Sequence, residues 1–268
     1  MRNDPHVEEL IYRVEIGEER WIFDPTSPVE EETDEFRMRL KDGIATFHMK
    51  KHYPSAQSAR EPVEAYVRAW EIDVALQYGP KRKLHFIFKR SKIIDRDPPP
   101  PGTPVTLEGI PSEEAVGHLS GALPFLRHYP QPPRDFVASG DVRTMWSLYK
   151  GYLENRDRLM PMAYSCLTRL KFRASRTIKG KMDKRKKVET MYRVDYSVLD
   201  KLGKLINTLG DEVEVRKLTS ESKLCSPTPE ETKWIEEVLK RLIRRAGEYA
   251  ADPQKQWPQI TLAVLPPL

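Results

Sequence analysis

Apolar and polar residues alternate in short runs along the first part of the chain and recur at three- and four-residue spacings along the last part. HVEELIYRVEI has the β-branched and aromatic content of a strand, and WIF, past the turn Gly17-Glu18-Glu19-Arg20, is expected to return beside it. DPTSPVEEETDE reads as a polar loop. In FRMRLKDGIATFHMK, Phe36, Met38 and Leu40 alternate before Asp42-Gly43, and Ala45, Phe47 and Met49 alternate after it. Asp-Gly supports the positive φ of a tight hairpin turn. A helix follows, with Ser58 and Glu61 as its capping box and Pro62 in its first turn. Its apolar stripe is Val63, Tyr66, Val67, Trp70, Val74 and Ala75, and Gly79-Pro80 ends it. LHFIF and KII, ending at Asp95, add one or two strands. A sheet with a helix on one face buries the apolar side of both.

The last part reads as helices. Asp141 is placed to cap one that carries Val142, Met145, Trp146, Tyr149, Tyr152 and Leu153. A second carries Met162, Ala163, Cys166, Leu167 and Leu170, with Pro161 near its start because an interior proline costs about 3 kcal/mol. Asp195 caps a third (Val198, Leu199, Leu202, Leu205, Ile206, Leu209), which Gly210 closes. Thr228-Pro229-Glu230-Glu231 opens the fourth with a cap, a proline at the first helical position and acids at the positive end. Trp234, Ile235, Val238, Leu239, Leu242 and Ile243 form its stripe, with Trp234 as a core anchor, and four such helices can share one bundle core.

Between the two patterns, Pro98 to Pro133 holds ten of the 23 prolines, so no single helix or central strand runs through it. The fold class is therefore α+β: an N-terminal antiparallel sheet with a packed helix, then a C-terminal helical bundle of about four helices. The division is 1–97 for the α+β domain, 98–135 for the proline-rich connector, 136–252 for the bundle and 253–268 for a tail that adds an edge strand or docks extended.

Composition narrows the function classes. Of 268 residues, 39% are hydrophobic and 32% charged, which supports a modest core under a well-solvated surface. The apolar runs are too short for a membrane helix, and MRNDPHVEEL has no apolar stretch after its basic residue to serve as a secretory signal. Two cysteines, Cys166 and Cys225, make no disulfide framework, so the expected compartment is a reducing cytoplasm. Cys166, among apolar neighbours, reads as a core thiol.

The net charge of +5 hides two blocks. Residues 8–35 hold eleven carboxylates against Arg13 and Arg20, and residues 169–187 hold ten cations against Asp183. The ten are Arg169, Lys171, Arg173, Arg176, Lys179, Lys181, Lys184, Arg185, Lys186 and Lys187. Such a block neutralises phosphates and releases their counterions; the plain alternative is a solvated helix end followed by a basic loop. Phe172, Met191 and Tyr192 lie near it and fit a core as well as a binding face. The acidic segment is a third possible partner, within one chain or across a homo-oligomer.

Other chemistry is thin. No HExxH, CxxC or acidic calcium loop occurs, His48 and His52 fall on a strand and its exit, and phosphate-loop, dinucleotide and GxSxG patterns are missing. No metal or cofactor is called for. A polar cluster, Glu154, Arg156, Asp157 and Arg158 around Asn155, lies between two expected helices, where it either ties helix ends together or lines a cleft.

YKGYLENRDRLMPMAYSCLTRL, LDKLGKLINTLGD and the LPPL ending resemble an uncharacterised bacterial protein family, with weaker likeness in VRAWEIDVAL and IIDRDPPPPG. The resemblance implies no activity. A β-containing half before a helical bundle is also similar in plan to HEPN-type proteins of prokaryotic defence and toxin systems. Their ribonuclease motif is an Arg, four to six residues, then His, and no histidine follows His128 here. The leading reading is a non-enzymatic cytosolic binding protein whose 169–187 segment contacts nucleic acid or an acidic protein partner. The rival is a HEPN-like ribonuclease, or another hydrolase whose site assembles from residues distant in sequence, such as Glu154 and Arg156 with His118 or His128.

Overall fold

The computed structural model describes residues 4–16, 22–23, 28–79, 84–96, 125–126, 129–209 and 226–268. The chain forms two compact units, Met1–Pro133 and Arg134–Leu268. Most of the proline-rich stretch, with Gly210, Cys225, His118 and His128, lies outside the described residues.

The first unit is a five-stranded antiparallel sheet covered on one face by a helix. Its strands are β1 (Pro5–Ile16), β3 (Val29–Glu32), β4 (Phe36–Lys41), β5 (Ile44–Met49) and β6 (Leu84–Asp95), in the order β3-β4-β5-β1-β6. The period-2 pattern puts Leu10, Tyr12, Phe36, Met38, Leu40, Phe47 and Phe86 on one face. There they meet Val63, Val67, Trp70 and Val74 of α1 (Ala56–Tyr78). The Asp42-Gly43 turn has positive φ at both residues, 50° and 75°, as a tight hairpin requires. Tyr129 also enters this core, its hydroxyl oxygen accepting the Gly43 N–H at 2.9 Å.

Three expectations are corrected here. The WIF segment does not return beside β1, because both edges of β1 are already occupied by β5 and β6; β2 (Ile22–Phe23) instead pairs in parallel with β7 (Phe125–Leu126). The polar loop over 24–35 contains β3, held by the buried Val29 and by Glu30 opposite Arg39 and Glu32 opposite Arg37. The helix begins three residues early. Ser55 is its cap, with Ser58 completing the box, and Pro62 lies inside the helix. LHFIF and KII form one continuous strand, with irregular register against β1.

The second unit is helical: α2 (Gly140–Leu153), α3 (Leu159–Thr177), α4 (Lys184–Tyr192), α5 (Tyr196–Thr208) and α6 (Pro229–Ala251). Four are the expected bundle helices and α4 is a short addition that begins inside the basic block. α3 packs against all the others, and the stripes of α3, α5 and α6 are buried, Trp234 included. Thr228 and Glu231 form the capping box of α6, with Pro229 in its first turn. Ser139, not Asp141, caps α2. Asp195 caps α5.

The C-terminal tail docks through a single parallel bridge, Val194 to Ile260, before a 3-10 turn at Leu262–Val264. Arg245, 6% exposed, fixes this arrangement: its guanidinium donates to the carbonyls of Tyr192 (2.8 Å), Arg193 (3.3 Å) and Pro258 (2.7 Å).

Candidate nucleic-acid interface

The basic block runs from the second half of α3, through a turn at Gly180 (φ 101°), into α4. α3 turns its apolar stripe inward, and the residues between the stripe positions face solvent. Arg169 and Arg173 sit on one flank, and both reach Asp141 of α2, at 3.1 and 3.7 Å. The Asp141 carboxylate is available for this because Ser139 does the capping.

On the other flank, desolvation and then the charge of Arg185 push the Lys171 ammonium below the usual lysine range; Lys184 adds to this and Asp183 opposes it. Arg185 lies over Gly203 of α5 and pairs with Asp200 at 2.8 Å, a carboxylate shared with Lys204 at 3.0 Å. Lys187 is 6% exposed, and its Nζ donates to the Gly180 carbonyl at 2.9 Å. Its charge closes the α3–α4 turn and does not reach the surface.

The remaining cations are Lys171, Arg176, Lys179, Lys181, Lys184 and Lys186. None of them makes an ion pair among the described residues, and all but the half-buried Lys171 are exposed. Among the described residues, four carboxylates lie near the block, and each is engaged: Asp141 with two arginines, Asp200 with Arg185 and Lys204, Asp183 with the Arg185 and Lys186 N–H groups at the start of α4, and Glu189 with the Tyr196 N–H.

α4 adds to the positive potential. Its first turn carries Lys184, Arg185, Lys186 and Lys187 and no acid. Cations are disfavoured at a helix N-terminus, where the backbone dipole is itself positive. A sequence that breaks a local rule in this way gives up some stability, and such departures concentrate at functional sites.

Phe172 lies at the centre of the exposed α3 face. Met191 and Tyr192 are buried, whereas Phe172 is 59% exposed, the highest of the exposed large apolar side chains among the described residues. The Arg176 guanidinium stands over its ring, 5.5 Å from the centroid. The sequence held this signal, since Phe172 follows Leu170 by two residues and so falls off the stripe, with Arg169 and Arg176 one turn away on either side.

Among the described residues, six carboxylates of the acidic block have ion-pair partners. Glu8 pairs with Lys92, Glu9 with His48, Glu15 with Arg13, Glu30 with Arg39, Glu32 with Arg37 and Lys50, and Glu35 with Lys51, all within the first unit. Lys50 and Arg37 hold the Glu32 carboxyl below its ordinary range, and Lys51 and Tyr53 do the same for Glu35.

The polar junction cluster is an exposed turn. Asn155 adopts a left-handed φ of 56°, and the N–H groups of Arg156 and Asp157 return to the Gly151 carbonyl. Arg156 pairs with Glu154 at 2.8 Å, and the Asp157 carboxylate lies against Gly151, where a Cβ would be 1.9 Å from its Oδ2. The Arg158 backbone precedes the first turn of α3. This is helix-end architecture. Cys166 is buried, and desolvation pushes its thiol up to about 12.

Among the described residues, no group of three or more His, Cys, Asp or Glu side chains could hold a metal ion, and no helix is long and apolar enough to cross a membrane. Compared with family models, curated proteins and solved structures, the chain matches none.

Proposed function

We propose that this chain is a non-enzymatic binding protein that contacts nucleic acid through residues 169–187. The observation that carries the reading is the set of exposed cations on α3, the α3–α4 turn and α4 that lack a carboxylate partner among the described residues, where Asp141, Asp183, Glu189 and Asp200 are already engaged. The cations without an ion pair among the described residues are mostly lysines, which serve a phosphate backbone as point charges. Arginine binds carboxylate bidentately, and Arg169, Arg173 and Arg185 already face carboxylates of this chain. The remaining cations, apart from Arg176, are lysines, mobile point charges suited to a phosphate backbone read without sequence.

The test is fluorescence anisotropy with labelled RNA and DNA at several salt concentrations. Lys179, Lys181, Lys184 and Lys186 are replaced together by Ser. Lys187 and Arg185 are left intact because they hold the turn and α5. Affinity should fall with salt at a log–log slope of about −0.9 per neutralised phosphate on duplex and about −0.7 on single strands, and the variant should flatten that slope. No binding by the unmodified protein at low ionic strength refutes the reading and leaves an acidic protein, or the chain's own residues 8–35, as the partner of the block.

A further inference from the structure

We infer that the α3 face centred on Phe172 binds single-stranded nucleic acid, stacking an unpaired base on the Phe172 ring while the surrounding cations hold the adjoining phosphates. The inference rests on the nucleic-acid reading above and adds the strandedness of the ligand and the residue that selects it. A phosphate-binding surface needs no aromatic ring. Here the most exposed large apolar side chain among the described residues stands on the same helix as Arg169, Lys171, Arg173 and Arg176. Exposed apolar side chains are ordinary when scattered singly. What sets Phe172 apart is its surroundings.

Arg169, Phe172 and Arg176 follow one another along the helix at three- and four-residue steps, so they share one face with about 5–6 Å between successive Cβ atoms. Asp141 holds Arg169 and Arg173 in place on one flank, and Lys171 lies on the other. The Arg176 guanidinium stands over one face of the ring, 5.5 Å from its centroid, so a base would stack on the opposite face. A ring that offers a π-face within a positively charged track is the arrangement by which proteins hold single strands without reading sequence.

Duplex fits this face less well. Its bases are already stacked on one another, and a ring can reach a base face only at a duplex end or by unstacking a step, at a cost of a few kcal/mol. A lipid surface also fits less well. Interfacial insertion needs contiguous apolar area, and the neighbours of Phe172 on this face are Thr168, Arg169, Ser175 and Arg176.

The experiment compares the full chain with Phe172→Ala and Phe172→Trp. The probes are a labelled single-stranded RNA and DNA 20-mer, a duplex of the same length, heparin (a polyanion without bases) and vesicles with and without anionic lipid. Because Phe172 faces solvent, Phe172→Ala should keep its thermal midpoint and circular dichroism spectrum. The wild type should prefer single strand to duplex. Phe172→Ala should lose about 5- to 150-fold in single-strand affinity, the range measured for one stacked base. The loss should persist at high salt with an unchanged salt slope, heparin binding should not move, and Phe172→Trp should retain or exceed wild-type affinity.

If the wild type binds nucleic acid and Phe172→Ala binds single strands equally well, the stacking inference is wrong and the charge reading stands. If the wild type binds none of the nucleic-acid probes, the charge reading itself has failed. Binding to anionic vesicles that is stronger than to any oligonucleotide, and that Phe172→Ala abolishes, overturns the inference in favour of a lipid surface.

Discussion

Replacing Arg245 with Met should release the C-terminal segment from the helical unit before the unit itself unfolds. Besides the three carbonyls of Tyr192, Arg193 and Pro258, the guanidinium reaches Glu248 at 2.8 Å. Each hydrogen bond from a charged donor contributes about 1.5–3 kcal/mol, but the desolvated guanidinium offsets part of that sum. Removing one partner from a buried pair costs about 3–5 kcal/mol as a whole. Two features place this case near the lower end. Glu248 keeps Arg244 at 3.3 Å, and Met fills much of the volume left by the arginine stem.

A loss of about 3 kcal/mol corresponds to a change on the order of 100-fold in a local opening equilibrium. Two amides report that opening directly: Ile260 N–H, which donates to Arg193, and Asp195 N–H, which donates to Ile260, both at 2.9 Å. Their hydrogen exchange should accelerate by about that factor, more than exchange within the buried stripes of α5 and α6. Arg245→Lys should be intermediate, since the three donors of one ammonium cannot serve the three carbonyls and Glu248 together. Unchanged exchange at both amides in Arg245→Met would mean that burial of Ile260 and Leu265 alone holds the tail, and the role given to the guanidinium would be wrong.

Two further outcomes follow from charge. His6, 4% exposed, accepts the Tyr53 N–H on Nδ1, and burial, then Arg96 and His52, hold its pKa below 6.5 against the opposing pull of Glu8 and Asp4. The unfolded chain therefore takes up a proton that the folded chain refuses, so the first unit should lose stability as pH falls below about 6.5 towards the depressed value, and be unaffected by this group above it. Urea midpoints measured from pH 7.5 to 5.5 should show that loss in the wild type and a weaker one in His6→Gln; parallel curves would refute the assignment. Lys186→Glu gives the first turn of α4 an acid three residues after its Asp183 cap, completing a capping box, and should raise stability by about 0.3–1 kcal/mol in thermal unfolding while weakening nucleic-acid binding. A variant both more stable and equally tight would mean that the cation serves no ligand there.

The pattern of apolar positions was enough to find the hairpin around Asp42-Gly43, the α1 stripe and the α6 start, because in each the local chemistry and the tertiary packing demand the same thing. It failed where packing overrode local preference. Glu-rich β3 has poor strand propensity, yet Val29 is buried and Glu30 and Glu32 meet arginines across the ladder. At α1, two serine-led boxes are offset by three residues and share Ser58. The earlier one forms because Tyr53 is tied to β1 through Val7 N–H and Pro54 keeps Tyr53 extended, so helix begins directly after Ser55. Arg245 lies among basic residues on the polar border of a helix, and only the docked tail shows that it is buried. Of the candidate site, the block itself was legible, but its division into structural and solvent-facing cations was not. That division depends on Asp141 and Asp200, which lie outside the block in sequence, and on the return of α4 that buries Lys187.

The two charged blocks look like counterparts in sequence, and the fold treats them differently. Much of the acidic segment is strand. Alternation there puts successive carboxylates on the solvent side of a sheet, where the register fixed by the hairpin supplies Arg37, Arg39, His48 and Lys92 opposite or beside them. Such exposed pairs contribute about 0–1 kcal/mol each, but they neutralise the surface locally. The basic segment is a helix end, a turn and a helix start, and no ladder places an acid opposite each cation. Asp183, its own acid, is held by backbone N–H groups of α4 and so cannot follow a lysine outward. The cations without an ion-pair partner among the described residues are therefore a consequence of topology as much as of composition, and one of them, Arg176, stands over the exposed Phe172 ring.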